Sequence, residues 1–106
     1  GGALSGSETR HPLGLQIVDP IGSGPDYATD VKRALRFEPV VAAGHAASLP
    51  ELAIRYAISN PALSTTEIGI ATFDEFQQAA DAVNKGPLSK DALAEIKDIQ
   101  TGFAAE

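Results

Sequence analysis

Only one stretch of the chain has the pattern of a β-strand, and this feature restricts the possible folds most strongly. Residues 65–70 read Thr-Thr-Glu-Ile-Gly-Ile, a short run rich in β-branched side chains. The N–H and C=O groups of a strand need a neighbouring strand, and an unpaired strand edge promotes aggregation. We therefore expect residues 65–70 to pair with a strand that the 106 residues do not themselves provide.

The remaining regular patterns are helical. Four apolar stretches with helical spacing each follow an N-capping residue, and these caps are Asp26, Ser48, Thr72 and Ser89. One or two further helical turns are expected within residues 40–47, with Gly44 as the terminator. The order helix 48–59, strand 65–70 and helix 74–84 is typical of a parallel α/β fold. We predict an α/β segment that is mostly helical, with one main strand at about 65–70.

The spacing also predicts which helix faces are buried. In the helix over 48–59 the inward face would comprise Leu49, Leu52, Ala53, Tyr56 and Ala57. In the helix over 74–84 and its first turn it would comprise Phe73, Phe76, Ala79, Ala80 and Val83. In the last helix it would comprise Leu93, Ile96 and Ile99.

The first quarter of the chain has a different character. Residues 1–26 are dense in glycine and proline, with apolar anchors only at Leu13, Leu15, Ile17 and Val18. We expect an irregular region over 1–26 and one partial domain over 27–106. The chain contains no methionine, which leaves two alternatives open, a complete small protein or a piece of a larger one.

Composition excludes several classes of function. The net charge of −6 and the absence of a basic cluster argue against binding to nucleic acid or to an anionic membrane. Without cysteine there is no disulfide, thiolate metal site or cysteine nucleophile, and His11 and His45 lack partners at metal-ligand spacing. No apolar run approaches the ~20 residues of a membrane span, and no signal peptide opens the chain. We expect a cytoplasmic protein without a metal.

Residues 51–65 read ELAIRYAISNPALST and resemble a known family. They are similar to the seventh barrel helix of the aldo-keto reductases, which leads into the eighth strand. The similarity continues through residues 67–70, 72–83 and 86–96, and the opening Gly2-Ala3-Leu4-Ser5-Gly6 resembles the glycine-rich loop after strand seven. Within the family, the chain is most similar to the branch of sugar dehydrogenases.

This resemblance implies the C-terminal part of a (β/α)8 barrel and of an NAD(P)-dependent oxidoreductase. Hydride would pass between the nicotinamide cofactor and a small carbonyl or sugar substrate. The family's catalytic residues would lie upstream of Gly1, so the segment alone would be inactive and would need the remainder of the barrel as its partner. The long segment from Ser7 to Pro25 would form part of a flap over the cofactor and the substrate.

The turn Gly69-Ile70-Ala71-Thr72 is the best chemical feature in the sequence. It delivers the chain into a helix N-terminus, whose free amides suit a phosphate or a ribose, although an ordinary capped turn has the same pattern. The resemblance implies that this turn holds the adenosine end of the cofactor. It also implies backbone contacts to the pyrophosphate from a second group, Gly2, Ala3, Leu4 and Gly6.

Two departures from the family pattern bear on the choice of cofactor. Glu75 stands where NADP-preferring members often carry an arginine, and Gln78-Ala79 replaces the usual Glu-Asn pair near adenine. A carboxylate accepts a hydrogen bond from a free ribose 2′-hydroxyl but repels a 2′-phosphate. We therefore expect NAD rather than NADP.

An alternative from a different functional class is that the protein is not an enzyme. The chain would then be a free-standing small helical module that pairs its single strand with a partner protein by β-augmentation.

Overall fold

Helices form all the regular structure in the computed structural model, which describes residues 2–17 and 24–105. A short 3₁₀ helix, η1, spans Ala3–Ser5. The α-helices are α1 (Tyr27–Leu35), α2 (Glu38–Ala42), α3 (Leu49–Ile58), α4 (Phe73–Lys85) and α5 (Lys90–Phe103).

The four predicted helix starts are confirmed, each by a side chain that accepts a hydrogen bond from a backbone N–H three residues later. Asp26 caps α1 at 2.7 Å, Ser48 caps α3 at 3.2 Å, Thr72 caps α4 at 3.2 Å and Ser89 caps α5 at 3.1 Å. The predicted end of α4 is also confirmed. Gly86 follows it with φ of 79°, a conformation that residues with a Cβ rarely adopt.

The predicted fold class is wrong. Residues 65–70 form no strand, and the described part of the chain contains no sheet, so neither an α/β fold nor the end of a (β/α)8 barrel is present. The backbone N–H and C=O groups of residues 65–70 form no hydrogen bond with any described residue. Their β-branched side chains favour a strand, but every other regular stretch that the structure describes is helical and offers no edge for pairing. The chain forms a small, compact helical domain.

The core is built from both halves of the chain. Its buried members are Val40, Ala46, Leu52, Leu88, Ala92 and Ile96, with Phe37, Val41, Leu49, Leu93 and Ile99 packed around them. The expected inward positions of α5 are therefore confirmed, and Leu52 occupies the centre of the buried face of α3. Tyr56, expected in that face, is instead exposed.

The predicted buried face of α4 is wrong for its largest residues. Phe73, Phe76 and Val83 are exposed, whereas Ala79 and Ala82 are buried. Helix α4 packs mainly on α3, and its alanines allow the two backbones to approach closely. The apolar residues of α4 thus lie on two faces. The face with Ala79 and Ala82 packs on α3, and the face with Phe73, Phe76 and Val83 is exposed.

Outside η1, the described residues of the first 26 are irregular, as expected. Gly1 and residues 18–23 lie outside the described part, and with them the predicted anchor Val18 and that part of the expected flap. The Tyr27 hydroxyl donates to the Ser7 carbonyl at 2.9 Å, and the Arg10 guanidinium lies over the Tyr27 ring. These contacts fasten the N-terminal segment to α1.

None of the described helices is long and apolar enough to cross a lipid bilayer.

Candidate functional site

The turn that leads into α4 is closed by reciprocal hydrogen bonds. Thr72 Oγ1 accepts from the Glu75 N–H at 3.2 Å, and Glu75 Oε2 accepts from the Ala71 N–H at 2.7 Å. The Phe76 N–H donates to the Thr72 carbonyl at 3.2 Å. Of the first-turn amides, those of Phe73 and Asp74 donate to no described acceptor. The turn therefore offers two free N–H donors at a helix N-terminus.

The charges around these donors are unfavourable for a phosphate. Asp74 and Glu75 lie in the first turn of α4, where they interact favourably with the helix dipole and repel a bound anion. Glu75 already uses one carboxylate oxygen to cap the turn. Its second oxygen, Oε1, accepts no hydrogen bond from the residues that the structure describes. Gln78 is exposed one helical turn further along, on the same side of the helix as Glu75.

The second predicted group has a structural role in η1. Of the four predicted residues, Gly6 uses its amide within η1, where it donates to the Ala3 carbonyl at 3.0 Å, so this amide is not available to a pyrophosphate. The neighbouring Ser5 amide donates to the Gly2 carbonyl at 3.1 Å. Gly6 has φ of 77°, and a Cβ placed there would lie 2.9 Å from Leu49 Cδ1. Glycine at this position therefore allows η1 to pack closely on the start of α3.

The structure groups only part of the predicted cofactor site. Gly69, Ile70, Ala71, Thr72, Glu75 and Gln78 share one end of α4. The other group, Gly2, Ala3, Leu4 and Gly6, packs with η1 against α1 and α3. Helices η1 and α4 each contact α3 but are not extensively packed against one another.

A feature that sequence reasoning missed is an exposed apolar stripe on α4. We define the apolar stripe as Phe73, Phe76, Ala80 and Val83, which lie within about 80° of one another around the helix. Phe73 is 75% exposed, Phe76 53% and Val83 45%, whereas Ala80 is half-buried, and the centres of the two phenyl rings are 6.2 Å apart. The helical spacing identifies these residues as one face, but it suggests burial rather than exposure. Contiguous exposed apolar surface of this kind marks contact sites.

The unpaired segment, residues 65–70, leads directly into this helix. Its backbone groups form no hydrogen bond with any described residue, and Ile70 at its end is exposed, whereas Thr66 and Ile68 are half-buried. Between Tyr56 and Asn84 the sequence has the carboxylates of Glu67, Asp74, Glu75 and Asp81 and no lysine, arginine or histidine. The unpaired segment and the apolar stripe therefore lie in an acidic region of the chain.

A second polar cluster centres on Arg55, whose side chain is 15% exposed. It donates to the carbonyls of Gly86 at 2.9 Å, His45 at 3.1 Å and Pro87 at 3.2 Å. Its guanidinium also lies 3.5 Å from Glu51, which pairs with Lys85 as well. The hydrogen-bonding groups of Arg55 are thus directed at the protein's own loops, and the cluster joins the loops before α3 and after α4.

Glu51 is the ionisable group most affected by that cluster. Burial tends to raise its pKa, but the hydrogen bonds from Lys85 and the Ala47 N–H and the charge of Arg55 lower the pKa below its ordinary value of 4.5. The carboxylate is therefore held ionised as a structural anchor.

Within residues 2–17 and 24–105 no group of three or more His, Asp or Glu side chains is arranged to hold a metal ion. No family model, curated protein or solved structure matches the chain.

Proposed function

We propose that this chain is a small helical interaction module, whose apolar stripe and unpaired segment are covered by another polypeptide. The observation that carries this proposal is the exposure of Phe73 and Phe76 shortly after residues 65–70, whose backbone groups form no hydrogen bond with any described residue. Burying a phenylalanine side chain contributes about 2 kcal/mol. A partner that covers this region gains that contribution from two rings and also supplies the missing hydrogen bonds.

Amide hydrogen exchange tests this proposal directly. The probe is an eight-residue peptide of alternating valine and glutamine, long enough for one strand of about that length. We expect it to slow the exchange of the amides of residues 65–70 in the full chain. The same peptide with N-methylated backbone amides serves as a negative control, because it lacks the hydrogen-bond donors of a strand. Unchanged exchange of residues 65–70 with the first peptide would contradict the proposal.

A pair of double variants separates this surface from apolar exposure in general. Phe73→Ser with Phe76→Ser removes two exposed apolar side chains from the stripe. Leu13→Ser with Leu15→Ser removes two residues of comparable exposure, 80% and 73%, from the N-terminal segment. We expect the first variant to lose peptide binding and the second to retain it. Equal loss in both variants would indicate non-specific adhesion.

A second candidate is the function that the resemblance implies, the cofactor-binding segment of an NAD(P)-dependent oxidoreductase acting on a small carbonyl or sugar. The specific observation in its favour is the turn before α4, with free Phe73 and Asp74 amides and an unoccupied Oε1 on Glu75. Those groups suit a ribose hydroxyl better than a 2′-phosphate, which favours NAD over NADP. In this proposal the catalytic residues lie upstream, and the protein is cytoplasmic.

Titration with NAD and NADP, followed by amide chemical shifts, distinguishes this candidate from the first. A cofactor site would shift the amides of residues 69–78 with NAD, and Glu75→Gln would weaken that response. Asp81→Asn, on the same helix but outside the turn, serves as the matched control. No response to about 10 mM NAD, a concentration above the usual range of cofactor affinities, would show that this chain does not bind the cofactor by itself.

A further inference from the structure

We draw no further inference here: the strongest candidate, the open groove between α2 and α5 lined by Leu35, Pro39, Ala42 and Ile99, is an apolar surface, and nothing in residues 2–17 and 24–105 shows what covers it.

Discussion

Replacing Arg55 by methionine tests whether the loops around α3 and α4 are held by one guanidinium. Methionine keeps much of the apolar stem of arginine but removes the donors to the carbonyls of Gly86, His45 and Pro87. Each hydrogen bond from a charged group contributes up to about 2 kcal/mol, and water partly replaces the donor at these loop carbonyls. We therefore assign about 1 kcal/mol to each of the three hydrogen bonds and expect Arg55→Met to lower the free energy of unfolding by about 3 kcal/mol.

Urea unfolding followed by far-ultraviolet circular dichroism measures this loss. For a domain of this size, where the free energy falls by about 1 kcal/mol per molar urea, the midpoint should decrease by about 3 M. Arg55→Lys should lose about 2 kcal/mol, because one ammonium group cannot reach three carbonyls in different directions. Lys97→Met is the matched control: it removes an exposed cation from α5 and should change stability by less than about 0.5 kcal/mol.

Two results would refute this reasoning. If Arg55→Met unfolds at the same urea concentration as Lys97→Met, the three hydrogen bonds do not stabilise the fold. If Arg55→Lys is as stable as the original protein, the positive charge beside Glu51 matters and the forked geometry of the guanidinium does not.

Three further predictions concern other parts of the molecule. Ile96→Ala, in the buried core, should lower the free energy of unfolding by about 3 kcal/mol in urea, and a loss near zero would place Ile96 outside the core. Thr72→Ala should cost about 1 kcal/mol and speed amide exchange in the first turn of α4, whereas unchanged exchange would mean that the cap is dispensable. The folded-state pKa of Glu51 is lowered, so its stabilising contribution is present above the ordinary value of 4.5 and is lost as the pH falls through the lowered pKa. Glu51→Gln should therefore make the free energy of unfolding less dependent on pH in that acid range. If the dependence is unchanged, it arises from other carboxyl groups.

The positions of the helices could be predicted from local sequence because their signals are local. Ser48 and Thr72 each cap a backbone N–H three residues away, so the cap and its partner are adjacent in the chain. Gly86 ends α4 through its own φ angle. None of these features depends on how the helices pack together.

The buried face of α4 and the strand at residues 65–70 were predicted wrongly because both depend on tertiary contacts. The spacing of apolar residues along the sequence does not specify such contacts. In α4 both the alanines and the phenylalanines lie on an apolar side, and the close approach to α3 places the alanines inward. The β-branched residues of 65–70 suit a strand, but strand formation requires a partner whose presence local preference cannot establish. The Arg55 cluster joins residues about thirty positions apart, which no local pattern indicates.

For the candidate site, the predicted cap Thr72 located the start of α4 correctly, and the structure adds the reciprocal bond in which Glu75 accepts from the Ala71 N–H. The role of Gly6 was beyond sequence reasoning, because the side chain that excludes a Cβ there is Leu49, far along the chain. The proposed contacts with NAD remain predictions.

Of the six buried residues in the core, three come before the unpaired segment in the chain and three come after it. Val40, Ala46 and Leu52 precede it, and Leu88, Ala92 and Ile96 follow it. Cleavage within residues 65–70 would break no backbone hydrogen bond among the described residues and would leave Arg55 bound to the carbonyls of Gly86 and Pro87 across the cut. The two halves, produced separately, should therefore be incomplete alone and reassemble on mixing, which makes this segment the natural place to split the protein into complementing fragments.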